Sequence, residues 1–140
     1  MRGFIVEHNI DNINNMNSIL EAKRHIKDAK DILREKALKE GGFYQDSEYV
    51  KLAGQTAYTG ILFALDDFLG KKGKGLKKVD WYKQHLAKWD KKIFNSFSTA
   101  YQVLFLDMAD NGAKSAELAA TGLEEAERII GWLENQTAIA

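Results

Sequence analysis

Apolar residues recur at steps of three and four along four long segments of this chain, the period of helices that each bury one face. In the first segment Ile19, Ala22, Ile26, Ala29, Leu33 and Ala37 form the stripe and charged residues fill the other face. Ser18 and Glu21 have capping-box spacing, so a helix is predicted over about 18–39, ended by Glu40-Gly41-Gly42. Ahead of it, the asparagine-rich NIDNINNMN suits an N-terminal arm or leader over residues 1–15. A second helix is predicted over about 48–69, capped by Asp46 or Ser47, with Val50, Ala57, Ile61 and Phe68 on its seam. Its small residues Gly54, Ala57, Gly60 and Ala64 predict a close approach to a neighbouring helix.

The third stripe is the longest. Tyr82, Leu86, Trp89, Ile93, Phe97, Ala100, Leu104 and Met108 alternate at steps of four and three, which predicts one continuous helix over about 81–109 with Asp80 as its cap. Asp110-Asn111-Gly112 then reads as a turn, and Ala116, Leu123, Ala126, Ile130 and Leu133 mark a fourth helix over about 114–136. Proline, the commonest helix breaker, is absent. Four amphipathic helices joined by short loops are best satisfied by an all-α, antiparallel up-down-up-down four-helix bundle, a single domain over residues 16–140.

Charge changes this picture locally but not globally. Twenty basic residues balance twenty acidic ones, so the whole chain has no net field for a nucleic acid or an anionic membrane. Between Lys71 and Lys92, however, nine lysines face two aspartates, while Asp107 to Ala140 carries seven carboxylates against Lys114 and Arg128. The chain has no cysteine, which excludes disulfide and thiolate chemistry. No window approaches the ~20 apolar residues of a membrane helix, and the start lacks a signal-peptide core, so the expected compartment is the cytoplasm.

The stretch LGKKGKGLKK, Leu69 to Lys78, is the most suggestive of chemistry. Gly70 and Gly75 have the glycine spacing of a phosphate loop, but Leu76 and Lys77 stand where its lysine and hydroxyl belong, and a helix instead of a strand precedes it. A solvated connection between helices is the plainer reading. The alternative is an electropositive patch for nucleic acid or another anion, built from Lys71, Lys72, Lys74, Lys77, Lys78 and Lys83, with Trp81 available to stack on a base.

A second candidate is polar. Asp66 and Asp67 interrupt the apolar run ILFALDDFL, and an interior carboxylate there needs a partner such as Tyr58 or Tyr101; these four residues form a candidate polar pocket. The plainer reading places both aspartates at the solvent margin. His8, His25 and His85 share no ligand-like spacing, so neither a metal nor a cofactor is expected.

The stretch YVKLAGQTAYTGILFALDDFLGKKG, with GGFYQDSEY before it and WYKQHLAKWDKKI after it, resembles a small family of uncharacterised four-helix proteins, mainly from the Bacteroidetes, that is similar to the HEPN superfamily of helical domains. The resemblance covers most of residues 15–136 and implies an up-down bundle and a homodimer. HEPN relatives include RNA-cutting toxins with an Arg followed four to six residues later by His. Arg2 and His8 fit that spacing, but ahead of the first predicted helix; Arg34 and Arg128 have no such histidine. The expected function is therefore that of a non-enzymatic binding or protein-interaction domain. A nucleic-acid- or nucleotide-associated role for Lys71 to Lys92 is the alternative, and a degenerate ribonuclease is a third reading.

Overall fold

The computed structural model describes the backbone of residues 2–70 and 78–139 and the side chains of residues 16–70 and 78–137. Most of the chain is helical. The helices are α1 (Arg2–Ile32), α2 (Ser47–Phe68), α3 (Val79–Ala87), α4 (Lys91–Ala100) and α5 (Ala116–Ile139), with π-helical stretches at Leu33–Ala37 and Tyr101–Asp110. Among the described residues, no helix is long and apolar enough to cross a membrane.

The first helix differs from its expected bounds at its start. It begins at Arg2, not near residue 18, so Ser18 lies inside a helix and does not cap one; its hydroxyl instead donates to the Asp67 carboxylate on α2. At the other end the helix widens into the π turn and stops at Leu38, whose φ of +56° is unusual for a leucine. A short hairpin follows. Lys39–Glu40 pairs with Phe43–Tyr44 around Gly41-Gly42, both at positive φ, as a two-residue hairpin turn requires. The Tyr44 amide donates to the Lys114 carbonyl and the Ala116 amide to the Gly42 carbonyl, which ties this hairpin to the start of α5.

Helix α2 matches its expected span, and Asp46 is its cap, accepting from the amides of Glu48 and Tyr49. The small residues of α2 do bring its neighbours close. A Cβ on Gly54 would lie 2.5 Å from the Leu104 carbonyl oxygen, and one on Gly60 would lie 2.5 Å from His25 Cβ.

The third predicted helix is broken. α3 ends at Ala87, and α4 restarts at Lys91 with the Asp90 carboxylate accepting from the Lys92 amide. Asp80, expected as the cap of this segment, sits in the first turn of α3, and Lys78 precedes the helix without a side-chain cap. The break puts Trp89 in the connection, where it is 55% exposed and not in the core as its spacing implied. Its stripe partners Leu86, Ile93, Phe97, Leu104 and Met108 are buried. From Ala100 to Met108 the buried positions are Ala100, Val103, Leu104 and Met108, so the stripe continues into the π-helical stretch. The core draws on α1 to α5 and on both π-helical stretches, with Tyr82 and Leu86 supplied by α3.

Candidate functional site

The two sets of residues expected to carry chemistry have different fates. Lys71, Lys72, Lys74 and Lys77 lie outside the described residues, as do the side chains of Arg2 and His8. Of the remaining basic set, Lys78 immediately precedes α3, and Lys83 holds its ammonium 5.5 Å from the Tyr101 ring centre, an attractive cation–π arrangement. Trp81 is half-buried. Its ring packs 5.1 Å from Tyr82 and 4.1 Å from His85, centre to centre, so it belongs to the fabric of α3.

Tyr58, Asp66, Asp67 and Tyr101 do not form one pocket. Tyr58 and Tyr101 do meet, with ring centres 6.0 Å apart, and Phe105 and Phe97 complete an aromatic cluster around Tyr58. Asp66 joins that cluster through Tyr82, which the polar-pocket reading did not include. The Tyr82 hydroxyl donates to Asp66 at 2.6 Å, and the Tyr82 ring lies 5.7 Å from Phe97. Asp67 points the other way, towards α1, where it accepts from Ser18. Adjacent residues on a helix diverge by 100°, which is why two neighbouring carboxylates serve different interfaces.

Burial pushes the phenols of Tyr58 and Tyr82 above their ordinary range; the Tyr101 phenol adds to the first effect and the Asp66 hydrogen bond to the second. Both hydroxyls therefore stay protonated at neutral pH. Asp67 is also pushed up, first by desolvation and then by the charge of Asp66. In this arrangement the polar atoms serve packing: a neutral phenol donates to a carboxylate and holds α3 against α2.

A second aromatic group lies at the α3–α4 connection. Phe68, Trp89 and Trp132 contact one another with ring centres 5.1 to 5.8 Å apart, and Trp89 is flanked in the chain by the exposed Lys88, Lys91 and Lys92. Its register concealed this group. Trp89 fits the core period, and only the break after Ala87 turns it outward.

Two surface features lie apart from these aromatic groups. On α2, Tyr49, Leu52 and Phe63 are exposed, and with Thr56 and Thr59 they fall at helical steps of three and four on one outer stripe. Phe63 also lines a depression of about 300 Å³ with Asn17, Ser18, Glu21 and Asp67. Between α1 and α5 runs a groove made of two clefts, of about 640 Å³ and 400 Å³, that share Lys30 and Glu127. The larger cleft is walled at one end by Leu38, Lys39 and Tyr44 of the hairpin. The groove does not follow from periodicity, which marks what is buried and not how the exposed flanks of two helices combine.

Residues 17–135 match a family described as a domain of unknown function, DUF5618. No curated protein matches the chain. Among solved structures it is similar to a protein of unknown function from Dyadobacter fermentans. The two are 55% identical, with a TM-score of 0.83, over 86% of this chain and 97% of that one.

Proposed function

The chain belongs to the DUF5618 family, and we propose that it is a non-enzymatic interaction domain, a HEPN-like, antiparallel up-down-up-down arrangement of four long helical units that pairs with a second copy of itself. Contacts between the units support the arrangement. Ser18 meets Asp67 while His25 faces Gly60, so α1 and α2 run in opposite directions. Tyr82 meets Asp66 while Leu104 faces Gly54, so the α3-to-π unit opposes α2; Lys23 meets Glu134 and Lys30 meets Glu127, so α5 opposes α1.

The observation that carries self-association is the outer stripe of α2. Tyr49, Leu52 and Phe63 expose apolar surface that burial would stabilise by about 25 cal/mol for each Å² covered. Beside Phe63 stands Glu21, held by the Arg24 guanidinium at 2.5 Å. An apolar strip flanked by an acid and a base can meet its own copy across a two-fold axis, where each acid faces a base. Sedimentation tests this reading. The chain is expected to dimerise at tens of micromolar, and Leu52→Asp with Phe63→Asp to leave it monomeric with its helicity intact. A monomer in the parent chain at that concentration overturns the proposal.

A second reading rests on Trp89. An exposed indole among Lys88, Lys91 and Lys92 is the pairing of stacking surface and positive charge that single-stranded nucleic acids engage. It requires salt-dependent retention of single-stranded RNA that Trp89→Ala weakens; absence of retention at low salt ends it.

A further inference from the structure

The groove between α1 and α5 has a division of charge that the self-association reading does not use. On its α1 and hairpin side stand Lys23, Lys27, Lys30, Arg34 and Lys39; on its α5 side stand Glu124, Glu127 and Glu134. The floor is apolar at both ends, with Leu33 and Leu123 in the larger cleft and Ile26 and Ile130 in the smaller. Ala116, Ala120 and Gly131 on α5 leave it concave. A Cβ at Gly131 would meet nothing within 4 Å, so internal packing does not account for this glycine. Leu38, more than half exposed at a positive φ, holds its side chain at the hairpin end.

We propose that this groove is a docking site for an amphipathic helix of a partner protein, with an apolar face bordered by acidic residues on one flank and basic residues on the other. Its shape selects a rod. From Lys23 to Arg34 the groove follows α1 for roughly 16 Å, about three helical turns, and it is crossed by two solvent-exposed ion pairs, Lys23–Glu134 and Lys30–Glu127. A small ligand site encloses most of its occupant; an open trough lined by lysine stems and small residues suits a helix laid lengthwise.

Its charges set the orientation. Lys23 reaches Glu134 at 2.6 Å and Lys30 reaches Glu127 at 3.2 Å across the groove, each with its side chain about half exposed. Pairs this exposed contribute little, so a partner that brings carboxylates to the lysine rim and cations to the glutamate rim can replace them. Lys27 and Arg34 share Asp31 on α1 itself, which keeps both side chains extended along the rim.

The test uses the full chain and two helical peptides of about 18 residues with identical composition. In one, Leu occupies a single face and Glu and Lys are segregated on opposite flanks; in the other, the same charges are mixed on both flanks. NMR titration should show the segregated peptide binding about tenfold tighter, a difference of about 1.4 kcal/mol, with shifts confined to α1 and α5. Gly131→Leu with Ala120→Leu should fill the trough and remove binding without loss of helicity. If that variant does not fold, the surface change Lys27→Glu with Lys30→Glu should still weaken the segregated peptide. Equal binding of both peptides, or no binding at millimolar peptide, overturns the proposal. So does dissolution of a self-dimer by Gly131→Leu, which would assign the groove to a second copy; Leu52→Asp reads out the α2 stripe independently.

Discussion

The Tyr82 hydroxyl donates a 2.6 Å hydrogen bond to Asp66, joining the last turn and a half of α2 to the first turn of α3 across the lysine-rich connection. Tyr82 is 2% exposed, so this bond replaces water that the phenol gave up on folding.

Tyr82→Phe removes that bond while keeping the ring against Phe97. A hydrogen bond to a charged acceptor contributes about 1.5–3 kcal/mol, so urea denaturation at pH 7 should show a loss in that range. The phenol's raised pKa means that its contribution to the stability of the parent chain is fully present below the ordinary tyrosine range near 10 and is lost as pH rises above it. Phenolate absorbance should therefore lag for Tyr58 and Tyr82 until the fold opens at alkaline pH.

Asp67→Asn should behave in the opposite sense to most carboxylate removals. Desolvation and Asp66 hold the Asp67 carboxyl above its ordinary value, so its ionisation weakens the fold as pH rises through the folded-state pKa. Asparagine retains an oxygen for the Ser18 hydroxyl and carries no charge. Thermal melts should show the variant more stable than the parent at pH 7, and the gain should vanish below the usual aspartate range. A variant less stable at pH 7 contradicts this account.

Gly54→Ala and Gly131→Ala should move stability in opposite directions. At Gly54 the added Cβ meets backbone, 2.5 Å from the Leu104 oxygen and 2.8 Å from the Ala109 nitrogen, which cannot yield without shifting a helix. Overpacking of this kind costs about 1–3 kcal/mol. At Gly131 the Cβ enters open space, and alanine should add about 1 kcal/mol of helix propensity. Paired chemical denaturation curves give both signs.

Leu38→Gly should raise stability although it removes a larger side chain. Leu38 is 56% exposed, so little burial is lost, while its backbone at φ +56° and ψ 111° is a conformation that glycine adopts more readily. Strain of about 1–3 kcal/mol outweighs the entropy that glycine adds to the unfolded chain. A lower midpoint in urea would show that the leucine side chain anchors the hairpin instead.

The stripes of Ile19 to Leu33 and Val50 to Leu65 were legible because burial repeats with the turn of a helix, and those residues are buried as their spacing requires. The cap at Asp46 and the turn at Gly112 were legible too, since each is a local hydrogen-bonding or backbone preference. Trp89 was not. Its spacing satisfies the core period, but it falls inside the break at Lys88 to Asp90, and the Asp90 cap that allows the break looks in sequence like one more surface acid. Ser18 misled for a related reason: a serine three residues before a glutamate caps a helix only if the chain ahead is not already helical.

By itself, then, the order of residues determined a mostly helical chain with its core positions, because helix periodicity, caps and glycine turns are properties of neighbours along the backbone. Only the tertiary structure decided that Asp66 answers Tyr82 while Asp67 answers Ser18, and that lysines of α1 oppose glutamates of α5 across a groove. Those pairings join residues 16 to 111 positions apart, and no local pattern encodes which exposed flanks come together once the apolar faces have closed.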